Sequence, residues 1–166
     1  MLNQTKPQVT ELLLGFFDII PEAALTIFDP NELELILCGL PQIDMKDWRD
    51  NTKYSGYYES KGKKHQVVQW FWDVVENDFD QEMKARLLQF VTGTSGVPPR
   101  GFSVLQGNDG NIKLFCVHGV STDQYFYPRA HTCFNRIDLP NYSSKNELRE
   151  RLRQAVSMNY VGFGEE

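Results

Sequence analysis

Apolar residues at Val9, Leu12, Leu13 and Phe16 recur at the interval that gathers them on one side of a helix, which predicts a helix before Pro21 with that side turned into a core. A second helix is predicted from Asp29-Pro30-Asn31-Glu32, where Asp can cap, Pro suits the first helical position and Glu follows three residues after the cap. Leu33, Ile36, Leu37 and Leu40 would carry its buried face. Gly39-Leu40-Pro41 would end it, because Gly accepts a left-handed cap and Pro cannot continue a helix. A boundary is expected between Leu40 and Ile43.

Beyond it, Met45 to Asn51 reads as a polar helix and Tyr54 to Lys64, rich in Gly, Tyr, Ser and Lys, as an exposed loop. His65 to Asn77 returns to helical spacing through Val68, Phe71, Trp72 and Val75. Asp80 to Val91 does the same through Met83, Leu87, Phe90 and Val91 and stops at Gly93. Then the period changes. Phe102 to Leu105, Ile112 to Val117 and Arg136 to Leu139 are short, apolar or alternating, and bounded by Gly, Asn, Asp and Pro, so they are predicted strands. Gly107-Asn108-Asp109-Gly110 would turn the first into the second. A last helix is predicted over Ser144 to Asn159, with Ser144 and Glu147 as a capping box and Leu148, Leu152, Ala155 and Val156 inward. The fold class expected is α+β: a short β-sheet packed against helices, preceded by a helical N-terminal segment.

Composition narrows the classes of function. The 166 residues are 41% hydrophobic and 13% aromatic, which suits a compact domain and not a disordered tail. A net charge of -5 argues against a nucleic-acid surface and favours a protein substrate or carrier. No transmembrane segment is expected: stretches such as Glu11 to Ile20 contain charges and fall short of the roughly 20 residues that span a bilayer. Met1 to Thr10 lacks a basic start followed by an apolar run, so no signal peptide is expected either. Three widely spaced cysteines, Cys38, Cys116 and Cys133, suit a reducing compartment, cytoplasmic or nuclear, more than a disulfide scaffold. Cys and His never fall at paired ligand spacing and no phosphate loop is present, so neither a metal nor another cofactor is implied.

The segment His131-Thr132-Cys133-Phe134-Asn135 lies between Pro128 and a predicted strand, in what should be loop or strand edge. If the backbone is extended there, His131 and Cys133 point to one face. Two readings stand on the residues alone: a reactive thiol with a polar surround, or a small buried hydrophobe beside a loop histidine. A cysteine hydrolase would need a general base and an orienting group about the thiol, and His65 and His118, the other two histidines, lie in no hydrolase motif.

The longer string Pro128-Arg129-Ala130-His131-Thr132-Cys133-Phe134-Asn135-Arg136-Ile137-Asp138-Leu139-Pro140 resembles the signature around the catalytic cysteine of HECT-type E3 ubiquitin ligases, above all the WW-domain-containing branch. Glu32-Leu33-Glu34-Leu35 with Cys38-Gly39, Thr52-Lys53-Tyr54, Gln69-Trp70-Phe71-Trp72 and the run from Leu87 to Ser95 resemble further landmarks in family order. Gly162-Phe163-Gly164-Glu165-Glu166 resembles the family's C-terminal tail, with Phe163 at its aromatic position. Tyr127 departs from the family's usual Leu, Gly96 stands where a basic residue is common, and Lys61-Gly62-Lys63-Lys64 looks like a small insertion.

The resemblance implies that residues 1–40 are the end of the HECT N-terminal lobe, 41–42 the hinge region and 43–166 the C-terminal catalytic lobe, within a longer protein. It implies the partners too: ubiquitin, an E2 conjugating enzyme recruited through N-terminal-lobe parts absent here, and protein substrates. Cys133 would take ubiquitin from the E2 as a thioester, and a substrate lysine would then attack that thioester. His131 and Thr132 would shape the cysteine loop, and Phe134 and Asn135 would lie beside a strand edge that pairs with ubiquitin's extended tail. Phe163 would anchor the tail. Glu165 and Glu166 read either as carboxylates that position and deprotonate the attacking lysine or as a solvated acidic end. Phe71 and Trp72 are read as core, Cys38 and Cys116 as packing residues. The alternative function is a non-catalytic module that binds ubiquitin or a partner lobe, inactive alone because the E2-binding lobe is missing.

Overall fold

The structure, a computed structural model, describes residues 6–28, Leu33 and 42–161, and the chain divides into two compact units, Met1–Gly39 and Leu40–Glu166. In the first unit, helix α1 spans Lys6–Phe17 and a single turn, α2, spans Glu22–Leu25. The expected α1 helix forms, but its face does not enter a core. Val9, Leu12 and Leu13 stay exposed and no residue of the helix is buried. Leu33 is helical and half-buried; the rest of the helix expected from Asp29 to Leu40, with Cys38 and the Pro41 stop, lies outside the described residues.

In the second unit, the Asp44 carboxylate accepts the backbone N–H groups of Lys46 (2.8 Å) and Asp47 (3.1 Å) and so starts helix α3, Met45–Asp50. This helix reads as polar in sequence, yet Trp48 on it is fully buried. The indole stacks on Phe102 at 5.1 Å between centroids and meets Trp72 (5.7 Å) and Phe115 (5.2 Å) edge-on. Asp47, one residue earlier, accepts the Phe102 N–H at 2.8 Å. Held by its ring and its amide, Phe102 cannot start the expected strand, and Phe102–Val104 is a 3-10 turn.

The segment expected to be an exposed loop from Tyr54 also differs. Lys53–Gly56 is strand β1, and Tyr58 beyond it is fully buried, its hydroxyl donating to the carbonyls of Leu139 (3.0 Å) and Pro140 (3.1 Å). Tyr54 accepts the Trp72 indole N–H at 2.9 Å. These two phenols draw a Gly- and Ser-containing stretch onto the sheet. Gly56, at φ +60°, is required there, since a Cβ would collide with the Gly119 carbonyl. The rest of the stretch stays largely exposed, with Tyr57, Glu59, Ser60, Lys61, Lys63 and Lys64 at the surface.

Helix α4 spans Gln66–Asp73 and buries Val67, Val68, Phe71 and Trp72, then widens into a π-helical turn over Val74–Asp78. Helix α5, Gln81–Thr92, starts on the Asp80 carboxylate and ends at Gly93 in the left-handed conformation (φ +80°). Strand β2 is Cys116–Val120, beginning later than expected; β3 is Arg129–His131 and β4 is Arg136–Pro140. The sheet order is β1-β2-β4-β3, with β1, β2 and β4 parallel and β3 antiparallel to β4 at the edge. Helix α6, Lys145–Val161, packs against α4 and α5 and buries Leu148, Leu152, Ala155 and Val156. Its capping box is shifted by one residue: Ser144 Oγ accepts the Glu147 N–H (3.2 Å), while the Glu147 carboxylate reaches back to Ser143. The result is the α+β fold expected, with Val117, Ile137 and Leu139 of the sheet fully buried in the core.

Because Trp48 is the one fully buried side chain of α3 and stacks directly on Phe102, Trp48→Ala should lower stability by about 3–5 kcal/mol in equilibrium denaturation. A loss under about 1 kcal/mol would mean that the ring cluster does not hold the unit together.

Candidate active site

Strand register creates the site. With His131 opposite Arg136 on β3 and β4, the four residues Thr132 to Asn135 must reverse the chain. They do so through a 3-10 turn over Thr132–Phe134, closed by Asn135 in the left-handed conformation (φ 48°) that Asn tolerates better than most residues. The extended backbone that would have aligned His131 with Cys133 is therefore absent, and the tight reversal turns the Cys133 side chain outward, where it is exposed.

His131 faces a different partner. Its Nε2 lies 2.9 Å from Asp138 Oδ2, and Arg136 Nε lies 2.9 Å from Asp138 Oδ1. Asp138, only 4% exposed, thus hydrogen-bonds the residue before the turn and forms an ion pair, without hydrogen-bond geometry, with the residue after it. Thr132 sits at the C-terminal end of α5, close to Gly93.

Asn135 is fully buried and joins three segments. Its carbonyl accepts the Cys116 N–H (2.9 Å) at the start of β2. Its side-chain amide donates to the carbonyls of Gln106 (2.9 Å) and Lys113 (2.7 Å). Those two bonds fasten the expected Gly107–Gly110 turn over the cysteine. Its arms meet through a single bridge, Gln106 with Ile112, and are not the two strands predicted.

From this hairpin Asn108 Nδ2 approaches Cys133 Sγ at 3.6 Å, and Lys113 Nζ donates to the Cys133 carbonyl at 3.1 Å. Lys113 also pairs with Asp109 (2.8 Å) and lies over the ring of the exposed Phe134 at 5.2 Å. A hydrogen bond from Lys113, aided by Asn111, pulls the Asp109 carboxyl from 3.8 down to about 2. The sequence assigned no role at the site to Asn108, Lys113 or Asp138, since each meets the cysteine turn through folding.

Cys116 differs in kind: it is half-buried on β2, 3.4 Å from Ser55 Oγ, and burial pushes its thiol pKa up. Phe163, Glu165 and Glu166 lie outside the described residues. A cavity of about 220 Å³ is lined by Lys46, Arg49 and Tyr54 and one of about 480 Å³ by Arg49, Tyr54 and Lys61, and Cys133 lines neither. Among the described residues no three His, Cys, Asp or Glu side chains gather to hold a metal, and no helix is long and apolar enough to cross a membrane. The site is an exposed thiol on a pinned turn.

In comparison with known proteins, residues 1–166 match the family described as HECT-domain (ubiquitin-transferase). Human E3 ubiquitin-protein ligase NEDD4 is 48% identical over 162 residues, covering 98% of this chain and 12% of that protein. Drosophila melanogaster E3 ubiquitin-protein ligase Nedd-4 is 48% identical over 161 residues, 96% of this chain and 15% of its own. Saccharomyces cerevisiae E3 ubiquitin-protein ligase RSP5 is 42% identical over 166 residues, 100% of this chain and 20% of its own. The chain thus spans 12% to 20% of the length of these relatives.

The Asp109–Lys113 clamp carries a pH signature. Asp109 has a folded pKa below its ordinary value, so its contribution is present above 3.8 and is lost as pH falls from there through about 2. At about pH 3 its side-chain carboxyl carbon should still report a mostly ionised group by NMR, and Lys113→Met should return the midpoint towards the ordinary aspartate value.

Proposed function

Because the chain belongs to the HECT-domain (ubiquitin-transferase) family, we propose that it is the catalytic end of an E3 ubiquitin ligase in which Cys133 carries ubiquitin as a thioester. Residues 1–40 are the end of the N-terminal lobe, 41–42 the hinge region and 43–166 the catalytic lobe. The observation that carries this reading is the exposed thiol on a turn gripped from both sides by Asp138. Cys116, half-buried and bonded to Ser55, offers no comparable nucleophile.

In the first step the Cys133 thiolate attacks the carbonyl of the E2–ubiquitin thioester and the E2 thiolate leaves. One thioester replaces another, so reach and alignment govern the rate more than driving force. In the second step a substrate lysine attacks the new thioester, the C–S bond breaks and an isopeptide bond forms. Glu165 and Glu166 position that lysine and take its proton, and Phe163 anchors the tail that bears them. Ubiquitin's extended C-terminal tail pairs with the edge strand β3, which leads directly into the cysteine turn. Phe134, exposed beside Cys133, flanks that path. The reaction takes place in the reducing cytoplasm or nucleus, where the thiol stays free. A second reading, a non-catalytic module that binds ubiquitin or a partner lobe, draws on the small share of its relatives' length that the chain spans.

The test is a gel assay with ubiquitin-activating enzyme, an E2 and ubiquitin, with and without reductant, on the chain and on Cys133→Ala. A one-ubiquitin adduct that reductant removes and the variant lacks is the expected result. An adduct that persists in Cys133→Ala contradicts the assignment. If no adduct forms, the assay is repeated with the upstream lobe restored, and continued absence favours the non-catalytic reading.

A further inference from the structure

The geometry points to Asn108 as a catalytic residue of the thioester chemistry: its side-chain amide is the donor that meets the oxyanion formed on an acyl group carried by Cys133. This rests on the reading of Cys133 as the ubiquitin acceptor.

The sulfur is the atom through which the acyl group would be bound, and Asn108 Nδ2 already stands 3.6 Å from it. The carbonyl oxygen of a thioester lies two bonds from the sulfur, so a donor at this separation from Sγ reaches that oxygen when the carbonyl is turned toward the hairpin. When an amine attacks, the carbonyl π electrons pass to the oxygen, which becomes anionic while the carbon is tetrahedral. Collapse re-forms C=O and breaks the C–S bond; Cys133 departs as thiolate and the new amide nitrogen releases its proton to water. A neutral N–H donor set in advance beside the oxygen favours the tetrahedral state over the planar one.

The placement of this amide is built, not incidental. Asn108 occupies the hairpin turn that the Asn135 side chain fastens through Gln106 and Lys113. At Gly107 the hairpin backbone comes so close to the turn that a Cβ would lie 3.0 Å from the Cys133 carbonyl oxygen. Lys113 bonds that same carbonyl at 3.1 Å and is steadied by Asp109. Lys113 and Asp109 are thus positioning residues, acting by holding the hairpin over the thiol. The cation is tied to the carbonyl and the carboxylate, which leaves the amide of Asn108, among the described residues, as the side-chain donor at the sulfur itself.

The test separates loading from discharge. The chain is loaded with ubiquitin supplied as its C-terminal thioester with a small thiol, which needs no E2, and the loaded species is chased with free lysine or hydroxylamine. Asn108→Asp keeps the size and removes the donor; Asn108→Ala removes the whole amide. Both should slow discharge by roughly tenfold to a hundredfold, less than the loss for a fully enclosed donor because this one is exposed. Asn108→Gln, which retains the donor, should recover part of the rate. Alkylation of Cys133 by iodoacetamide, which forms no oxyanion, should stay within about twofold in Asn108→Ala and Asn108→Gln; the carboxylate of Asn108→Asp disfavours the neighbouring thiolate by like charge, so that variant is compared by discharge alone. Unchanged discharge in Asn108→Asp and Asn108→Ala overturns the assignment. So does a parallel loss of discharge and alkylation in Asn108→Ala, which would make Asn108 a structural residue. A wild-type chain that alkylates at Cys133 yet never accepts ubiquitin overturns the acceptor reading itself, and this assignment with it.

Discussion

A single buried asparagine holds the cysteine where it is. Asn135 adopts a backbone conformation that few residues other than glycine take readily, and it spends its carbonyl and its side-chain N–H groups on three segments distant in sequence. Glycine could supply the φ but not the bonds, and aspartate could not supply the donors. Either choice leaves the Gln106 and Lys113 carbonyls without that partner, at a cost of about 1 kcal/mol for each part-buried hydrogen bond lost. The parallel pairing of β2 with β4 begins at Cys116 and Arg136, immediately beside this joint, so sheet and turn are set together.

The core and the site are coupled through a short stretch of chain. Trp48 and Asp47 on α3 capture the ring and the amide of Phe102, and the 3-10 turn that follows delivers Leu105 to the core and Gln106 to the hairpin. The hairpin then lies over Cys133 and is fastened there by Asn135 and Lys113. The aromatic cluster therefore contributes more than stability, because it sets where the roof of the site begins. Asp138 performs a comparable task from the sheet, fixing both ends of the turn while leaving its middle exposed.

The helices of the second unit were legible because each carries its own local signals: Asp80 and Gly93 bound α5, and Ser144 precedes α6. Strands were harder. β1 hid in a Gly- and Ser-rich stretch because Tyr54 and Tyr58, not a run of aliphatic residues, draw it inward. Phe102 to Leu105 looked like a strand because nothing local announces the grip of Asp47. The apolar face of α1 was read correctly as a pattern, but pattern alone does not say what covers it. At the site, spacing left Cys133 balanced between nucleophile and packing residue, and the family resemblance singled it out. Asn108 and Lys113 stayed invisible, since they reach the turn across 25 and 20 residues and no periodicity links them to it.

The most direct measurement of the central claim is residue-resolved hydrogen exchange in Asn135→Gly, which keeps the left-handed backbone accessible and removes only the side-chain bonds. If Asn135 ties the hairpin to the cysteine turn, the amides of Gly107 and Lys113 should exchange at least about tenfold faster, while those of Val117, Ile137 and Leu139 keep their protection. Unchanged exchange at Gly107 and Lys113 would contradict the account and show that the roof over Cys133 stands without the asparagine.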